Sequence, residues 1–305
     1  MREFRRWLRR LRRRATFLAM RQLMRIAGFA GARRTGKLLA DIQFLCSWRV
    51  RRRCARDLAQ LLGRPAGDPA PRELLRQAYR VNTIAMLEVL AMFDRRLDDD
   101  VLNAQSEIEG LEHLRVALDA GRGAILLGAH MGNGAVLTAR LARAGWPVSV
   151  VYRQARMMSA GFFEHGLSLY GIEGISANAG LRAYVQMLDA LKRGRILFVI
   201  MDQGTKAAQD GIVLRFLGKE MPMSAGPAQL ARQSGAPVLP LATTAAEPVW
   251  KFTIGTPVAR VPGASLESEV GQLARVTEEN ILRYPQLWSW HHRRWRKFPM
   301  AAVSS

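Results

Sequence analysis

The chain has 305 residues, 46 Lys and Arg against 25 Asp and Glu, 49% apolar residues and two cysteines. That balance excludes a disordered tail, a disulfide scaffold and a collagen-like fibre. A chain of this length buries roughly 75% of its unfolded surface, enough for one large α/β domain or two smaller ones. Charge is concentrated at the ends: residues 1–56 hold 18 basic and 2 acidic side chains, residues 283–305 hold five basic and no acidic ones, and the middle sums to zero. A neutral body with two basic ends points to an anionic partner: nucleic acid, an anionic membrane surface or an acidic carrier protein. Cys46 and Cys54 are too few for a framework of bridges and read as packed thiols in a reducing compartment.

In the first segment Phe4, Trp7, Leu8, Leu11, Ala15 and Leu18 recur at helical spacing, with Arg5, Arg6, Arg9, Arg10, Arg12 and Arg13 filling the rest of the wheel. Arg21 and Arg25 interrupt the apolar run, which is too short for a transmembrane span and lacks the apolar core of a secretory signal. The pattern predicts a basic amphipathic helix lying in the headgroup plane, with Phe4, Trp7, Leu8 and Leu11 toward the acyl chains and Arg5 and Arg9 toward anionic lipid. A solvated basic arm is the plainer reading, but such an arm has no use for the apolar stripe.

Residues 35–63 and 72–97 carry helical patterns, separated by the breaker stretch GRPAGDPAP. From residue 123 the character changes. Short apolar runs at 123–129, 147–152, 195–201, 236–244 and 250–258 read as strands, and 134–144, 180–193, 225–234 and 266–283 read as helices between them. The alternation predicts an α/β fold, a largely parallel mixed sheet flanked by helices, with a helical N-terminal layer. The expected organisation is a membrane-surface helix over residues 1–30 and a single domain over 31–305, helical as far as residue 120. At the far end YPQLWSWHHRRWRKFP gathers Trp288, Trp290 and Trp295 among cations, a composition that a membrane interface selects and that a structural role near the active site also explains. His291 and His292 are adjacent and point opposite ways on an extended segment, so no metal site is expected there. No nucleic-acid-binding motif accompanies the cluster.

In an open α/β sheet reactive groups collect beyond the carboxyl ends of strands. GAILLGAHMGNGAVLTARL puts His130 at such an end, with Asn133 as the N-cap of the following helix, and Gly128 and Gly132 let the backbone pass close to a ligand. Helix-start amides favour an anion or developing oxyanion. Asp202 ends the third strand and Arg153 follows the second.

These residues fall in a pattern that resembles the late (lauroyl and myristoyl) acyltransferases of bacterial lipid A biosynthesis, within the lysophospholipid acyltransferase superfamily, over nearly the whole chain. The His-x-Gly-Asn-Trp-Glu block is matched by His130, Gly132 and Asn133, and the Tyr-Arg-Pro block by Tyr152 and Arg153, with Gln154 for proline. The Asp-Gln block with its Gly-x-x-x-x-Phe-x-Gly stretch is matched by Asp202, Gln203, Gly211, Phe216 and Gly218. The run from Gly226 to Pro240 fits, and the Trp-x-His-Arg-Arg-aromatic block is matched by Trp290, His292, Arg293, Arg294 and Trp295. The resemblance implies acyl transfer from an acyl-carrier-protein or CoA thioester to a hydroxyl of a membrane lipid, at the cytoplasmic face of the inner membrane, with no cofactor. It also implies His130 as general base with Asp202 as a second catalytic candidate, and Gly132, Asn133, Tyr152 and Arg153 as substrate-binding residues.

One departure stands out. The family carries an acid five residues after the histidine, and this chain has Ala135 there, next to Gly134 in place of Trp. In serine proteases, replacing the residue that orients the histidine costs about 10⁴ in turnover. Three expectations follow: another carboxylate reaches His130, with Asp202 first and Glu164 or Glu173 behind it; His130 acts unassisted on a more acidic acceptor; or catalysis is lost and the protein serves as a membrane- or carrier-binding partner.

Overall fold

A computed structural model describes residues 2–65, 67–154, 158–205, 210–291 and 293–301, and for Arg2, Glu3, Arg5, Arg6, Arg9, Arg10, Arg293 and Arg294 the backbone alone. Four helices lead the chain: α1 (Arg2–Cys46), α2 (Trp48–Leu61), α3 (Ala70–Asp94) and the short α4 (Asp99–Ala104). α1 is kinked at Gly28, whose φ of 66° and ψ of −175° lie where a side chain is disfavoured. The kink falls two residues before the predicted boundary at residue 30, and the helix then runs on to Cys46.

The body is a seven-stranded sheet in the order β1-β9-β8-β2-β5-β3-β4. Its strands are β1 (Ser106–Glu109), β2 (Ala124–Gly128), β3 (Val148–Tyr152), β4 (Glu173–Ser176), β5 (Ile196–Ile200), β8 (Val238–Ala245) and β9 (Trp250–Ile254). Every pairing is parallel except β8 with β9. β2 is buried at all five residues, as a central strand covered on both faces must be. α6 (Gly134–Arg143) and α7 (Phe162–Ser168) pack on the face of Val150 and Phe198, whereas α8 (Leu181–Lys192), α9 (Gly226–Ser234) and α10 (Leu266–Arg283) pack on the face of Val151 and Val199. α5 (Leu111–Asp119) joins β1 to β2. A separate antiparallel hairpin, β6 (Ile212–Phe216) and β7 (Lys219–Met223), turns on Leu217 and Gly218, both with positive φ.

The expected architecture is present, with additions. β1 and β4 are four-residue edge strands reading SEIE and EGIS, too short and polar to show a period. The run 250–258 ends as a strand at Ile254. The C-terminal tryptophans correct the membrane-interface reading. Trp288, Trp290 and Trp295 are fully buried and meet edge to face, with ring centroids 4.7, 5.2 and 5.8 Å apart. Lys219, equally buried, sits 3.9 Å over the Trp295 ring and pairs with Asp57 at 2.6 Å, so these rings are core rather than surface. His292 lies outside the described residues, as do the side chains of Arg293 and Arg294.

α1 and α3 approach closely because Gly36 has no side chain: a Cβ there would lie 2.8 Å from Ile84 Cγ1 and 3.1 Å from its Cα. We expect Gly36→Ala to destabilise the fold by about 1–3 kcal/mol, read by chemical denaturation. An unchanged midpoint would show that the two helices part without cost.

Candidate active site

Gly128 and Ile200 are register partners on β2 and β5. His130 and Asp202 each lie two residues beyond that pair, so a parallel pairing brings together two side chains 72 positions apart. The Asp202 carboxylate is buried (1% exposed) and His130 is open (42%). Asp202 Oδ1 accepts from His130 Nδ1 at 2.7 Å, and Oδ2 accepts from the His130 backbone N–H at 2.8 Å and from the Trp288 indole N–H at 2.5 Å. Burial alone would raise this carboxyl. The charge and hydrogen bonds of His130 and the Trp288 bond outweigh it and hold Asp202 below the ordinary carboxylate range. An ionised acceptor fixes the proton on Nδ1. The amide of Gln203 covers the same ring, its Nε2 2.9 Å from Nδ1 and 3.1 Å from Nε2.

The turn carrying His130 is pinned at each residue. Met131 pairs with Trp288 and its carbonyl accepts from Thr243 Oγ1 at 2.8 Å, while the Gly132 N–H donates to the Leu287 carbonyl. Gly132 has φ of 61°, and a Cβ there would strike Thr243 Cγ2 at 2.6 Å and the Trp250 ring at 3.0 Å. Gly128 likewise lacks a side chain because Phe198 stands 2.9 Å from where its Cβ would be. Both glycines thus admit neighbouring protein atoms, and Gly132 also lines the cavity beside His130. Asn133 is the expected N-cap: its Oδ1 accepts from the Ala135 and Val136 amides, and its Nδ2 donates to Glu88.

His130, Gly132, Asn133, Tyr152 and Arg153 line one cavity of about 850 Å³, and Asp202 sits behind the histidine. This lies within the range of small-molecule sites. Its walls are largely apolar, from Leu90, Phe93, Phe162 and Phe163 on one sheet face to Tyr184 and Met187 on the other. Tyr152 stacks on Phe163 at 5.2 Å, and burial pushes its phenol up. Arg153 is exposed at the rim and makes no hydrogen bond or ion pair among the described residues. Glu173, one of the reserve carboxylates, is committed to Arg193, Arg195 and Ser149. Among the described residues no group of three or more metal-ligating side chains occurs.

The model of the bacterial lipid A biosynthesis acyltransferase family matches residues 1–297. The chain belongs to that family. Its similarity extends to the phosphatidylinositol mannoside acyltransferase of Mycolicibacterium smegmatis, 27% identical over 243 residues, covering 79% of this chain and 78% of the relative. The namesake enzyme of Mycobacterium tuberculosis H37Rv is 26% identical over 260 residues, covering 79% and 75%. Family and relatives name acyltransferases, so this chain is one, and the expectation of an enzyme holds.

Two residues of this acyltransferase's site were not singled out in the sequence. Trp288 reads there only as part of a cluster suited to a membrane interface or to a structural role near the active site, the second of which its burial against Asp202 fits, and Glu88 sits in an amphipathic helix that gives no local signal. Because the folded Asp202 binds its proton less tightly than an unfolded aspartate of pKa ~3.9, it contributes stability that is complete above that value and lost as pH falls through the lowered folded value. Asp202→Asn should therefore destabilise the protein at neutral pH, and the gap should close in acid. Denaturation curves at both pH values check this, and a gap independent of pH would contradict it.

Proposed function

We propose that this acyltransferase moves a fatty acyl chain from an acyl-carrier-protein or CoA thioester to a hydroxyl of a membrane glycolipid, with His130 as general base. The observation that carries the reading is the His130 ring, held by a buried carboxylate through Nδ1, at the wall of an apolar cavity. With Nδ1 donating to Asp202, the acceptor proton goes to Nε2, the nitrogen beside the Gln203 amide. The acceptor oxygen loses its proton to Nε2 as it bonds to the thioester carbonyl carbon, giving a tetrahedral oxyanion. Collapse breaks the C–S bond, the imidazolium protonates the departing sulfur, and an ester and a free thiol remain. Asp202 stabilises the transient imidazolium. Arg153 at the rim binds the phosphate of donor or acceptor, with Tyr152 beside it, and the apolar walls take the acyl chain. An acceptor bearing sugar hydroxyls and a phosphate is common to lipid A and to the phosphatidylinositol mannosides named for the relatives. His130→Ala should lower turnover by about 10²–10⁴-fold, measured as ester formed from either thioester and a phosphorylated glycolipid. Equal product from the variant would remove His130 from the chemistry.

We further propose a peripheral seat at the cytoplasmic face of the inner membrane. No described helix is long and apolar enough to cross a bilayer. On α1 Phe4 is 65% exposed and Trp7 56%, with Leu8, Leu11 and Leu18 also out, and Ile26 extends the same stripe. Arg12, Arg13 and Arg14 flank it, exposed. The side chains of Arg5 and Arg9 lie outside the described residues. Apolar insertion with cations at phosphate depth suits an anionic surface. Trp7→Ala with Leu11→Ala should weaken binding to anionic phospholipid vesicles by roughly tenfold or more, read by cosedimentation. Equal binding to neutral vesicles would contradict the electrostatic part.

A further inference from the structure

The described residues bury three charged side chains completely or nearly so: Asp202, Lys219 and Glu88. The first orients the histidine and the second fixes the tryptophan cluster. Glu88, on α3, has no part in either. A buried carboxylate is costly unless its oxygens are met by donors. Burial pushes the Glu88 carboxyl up, against the pull of Asn133, Arg33 and Trp250. The identity of those donors indicates what it does.

Glu88 Oε2 accepts from Asn133 Nδ2 at 2.8 Å and from the Trp250 indole N–H at 2.7 Å, both buried bonds. Asn133 is the far end of the His130 turn, and Trp250 is the wall against which Gly132 packs. Oε2 accepts from both neighbours, so the amide nitrogen of Asn133 is turned toward Glu88 and the amide oxygen toward the Ala135 and Val136 N–H groups of α6. The reversed amide would set oxygen against oxygen and leave the α6 amides facing an NH₂ group. Arg33, from α1 beyond its kink, reaches the other oxygen at 3.3 Å and donates to the Ala246 carbonyl at 2.8 Å. Its guanidinium also lies 5.5 Å over the Trp250 ring.

From this we infer that Glu88 is a positioning residue for the reaction: acting through Asn133 and Trp250, it sets the turn that presents His130, and Arg33 ties that setting to α1. The inference rests on the reading of His130 as the base. Asp202 holds the ring from one side and Glu88 the backbone that carries it from the other. A shift of about 1 Å in such a turn suffices for a hundredfold loss of rate.

The test exchanges the polarity of the buried bond. Asn133→Asp still caps α6 but places a carboxylate against Glu88. Glu88→Gln in that background supplies an amide donor to the new aspartate, giving up the Trp250 bond that the same atom accepts in the native protein, and its carbonyl oxygen turns to Arg33. We expect Asn133→Asp to lower kcat by about a hundredfold with the donor KM within about twofold of the native enzyme. The double variant should recover to within about fivefold, a rescue that loss of packing does not give. Independently of activity, the His130 Nδ1 proton resonance should be present in the native protein and the double variant, and broadened or lost in Asn133→Asp. A double variant as impaired as the single one, a native kcat for Asn133→Asp, or an unchanged Nδ1 resonance in it would overturn the inference. Full activity of His130→Ala would end the catalytic reading instead, and the Nδ1 resonance would still decide whether Glu88 positions the turn.

Discussion

The structure turns on one buried carboxylate. Asp202 is shielded from solvent at the carboxyl edge of the sheet and is kept ionised by a ring N–H, a backbone N–H and an indole N–H. Removing such a group from water costs several kcal/mol, and each of these donors offsets part of it. Their positions are therefore coupled. The indole belongs to Trp288, locked edge to face with Trp290 and Trp295 and braced by Lys219 above Trp295. The C-terminal segment thus reaches the site through Trp288, which backs Asp202.

The family acid is absent at Ala135, yet a carboxylate reaches His130: Asp202, from the end of β5, the strand beside β2. Ala135 lines the cavity, so the exchange opens space where the family pattern carries bulk. The cavity touches both faces of the sheet because successive residues of β3 and β5, Val150 with Val151 and Phe198 with Val199, point to opposite sides at its rim.

Much of this was legible in the chain itself. Apolar runs with the right spacing locate the strand ends after Gly128 and Ile200, and polar residues just beyond them are candidates in any open sheet. Strand order is not legible, because pairing partners are chosen by tertiary packing, so Asp202 was one carboxylate among three until β5 was seen beside β2. The tryptophan cluster was ambiguous for a physical reason: interface and core both favour large rings with one polar handle. Glu88 gave no signal because a helix buries every third or fourth residue, and one carboxylate among Leu87, Leu90 and Ala91 is marked only by partners far away in sequence. β1 and β4 were missed as short polar edges. In α1 the exposed stripe was readable, but the kink at Gly28 and the continuation to Cys46 follow from packing against α3.

The central claim is that Asp202 dictates which nitrogen of His130 carries the proton. The ¹⁵N shifts of the His130 ring, measured at a pH where the imidazole is neutral, address it directly. The account predicts a protonated Nδ1 and an unprotonated Nε2, with that preference lost in Asp202→Asn. A proton resident on Nε2, or a preference untouched by Asp202→Asn, would contradict it.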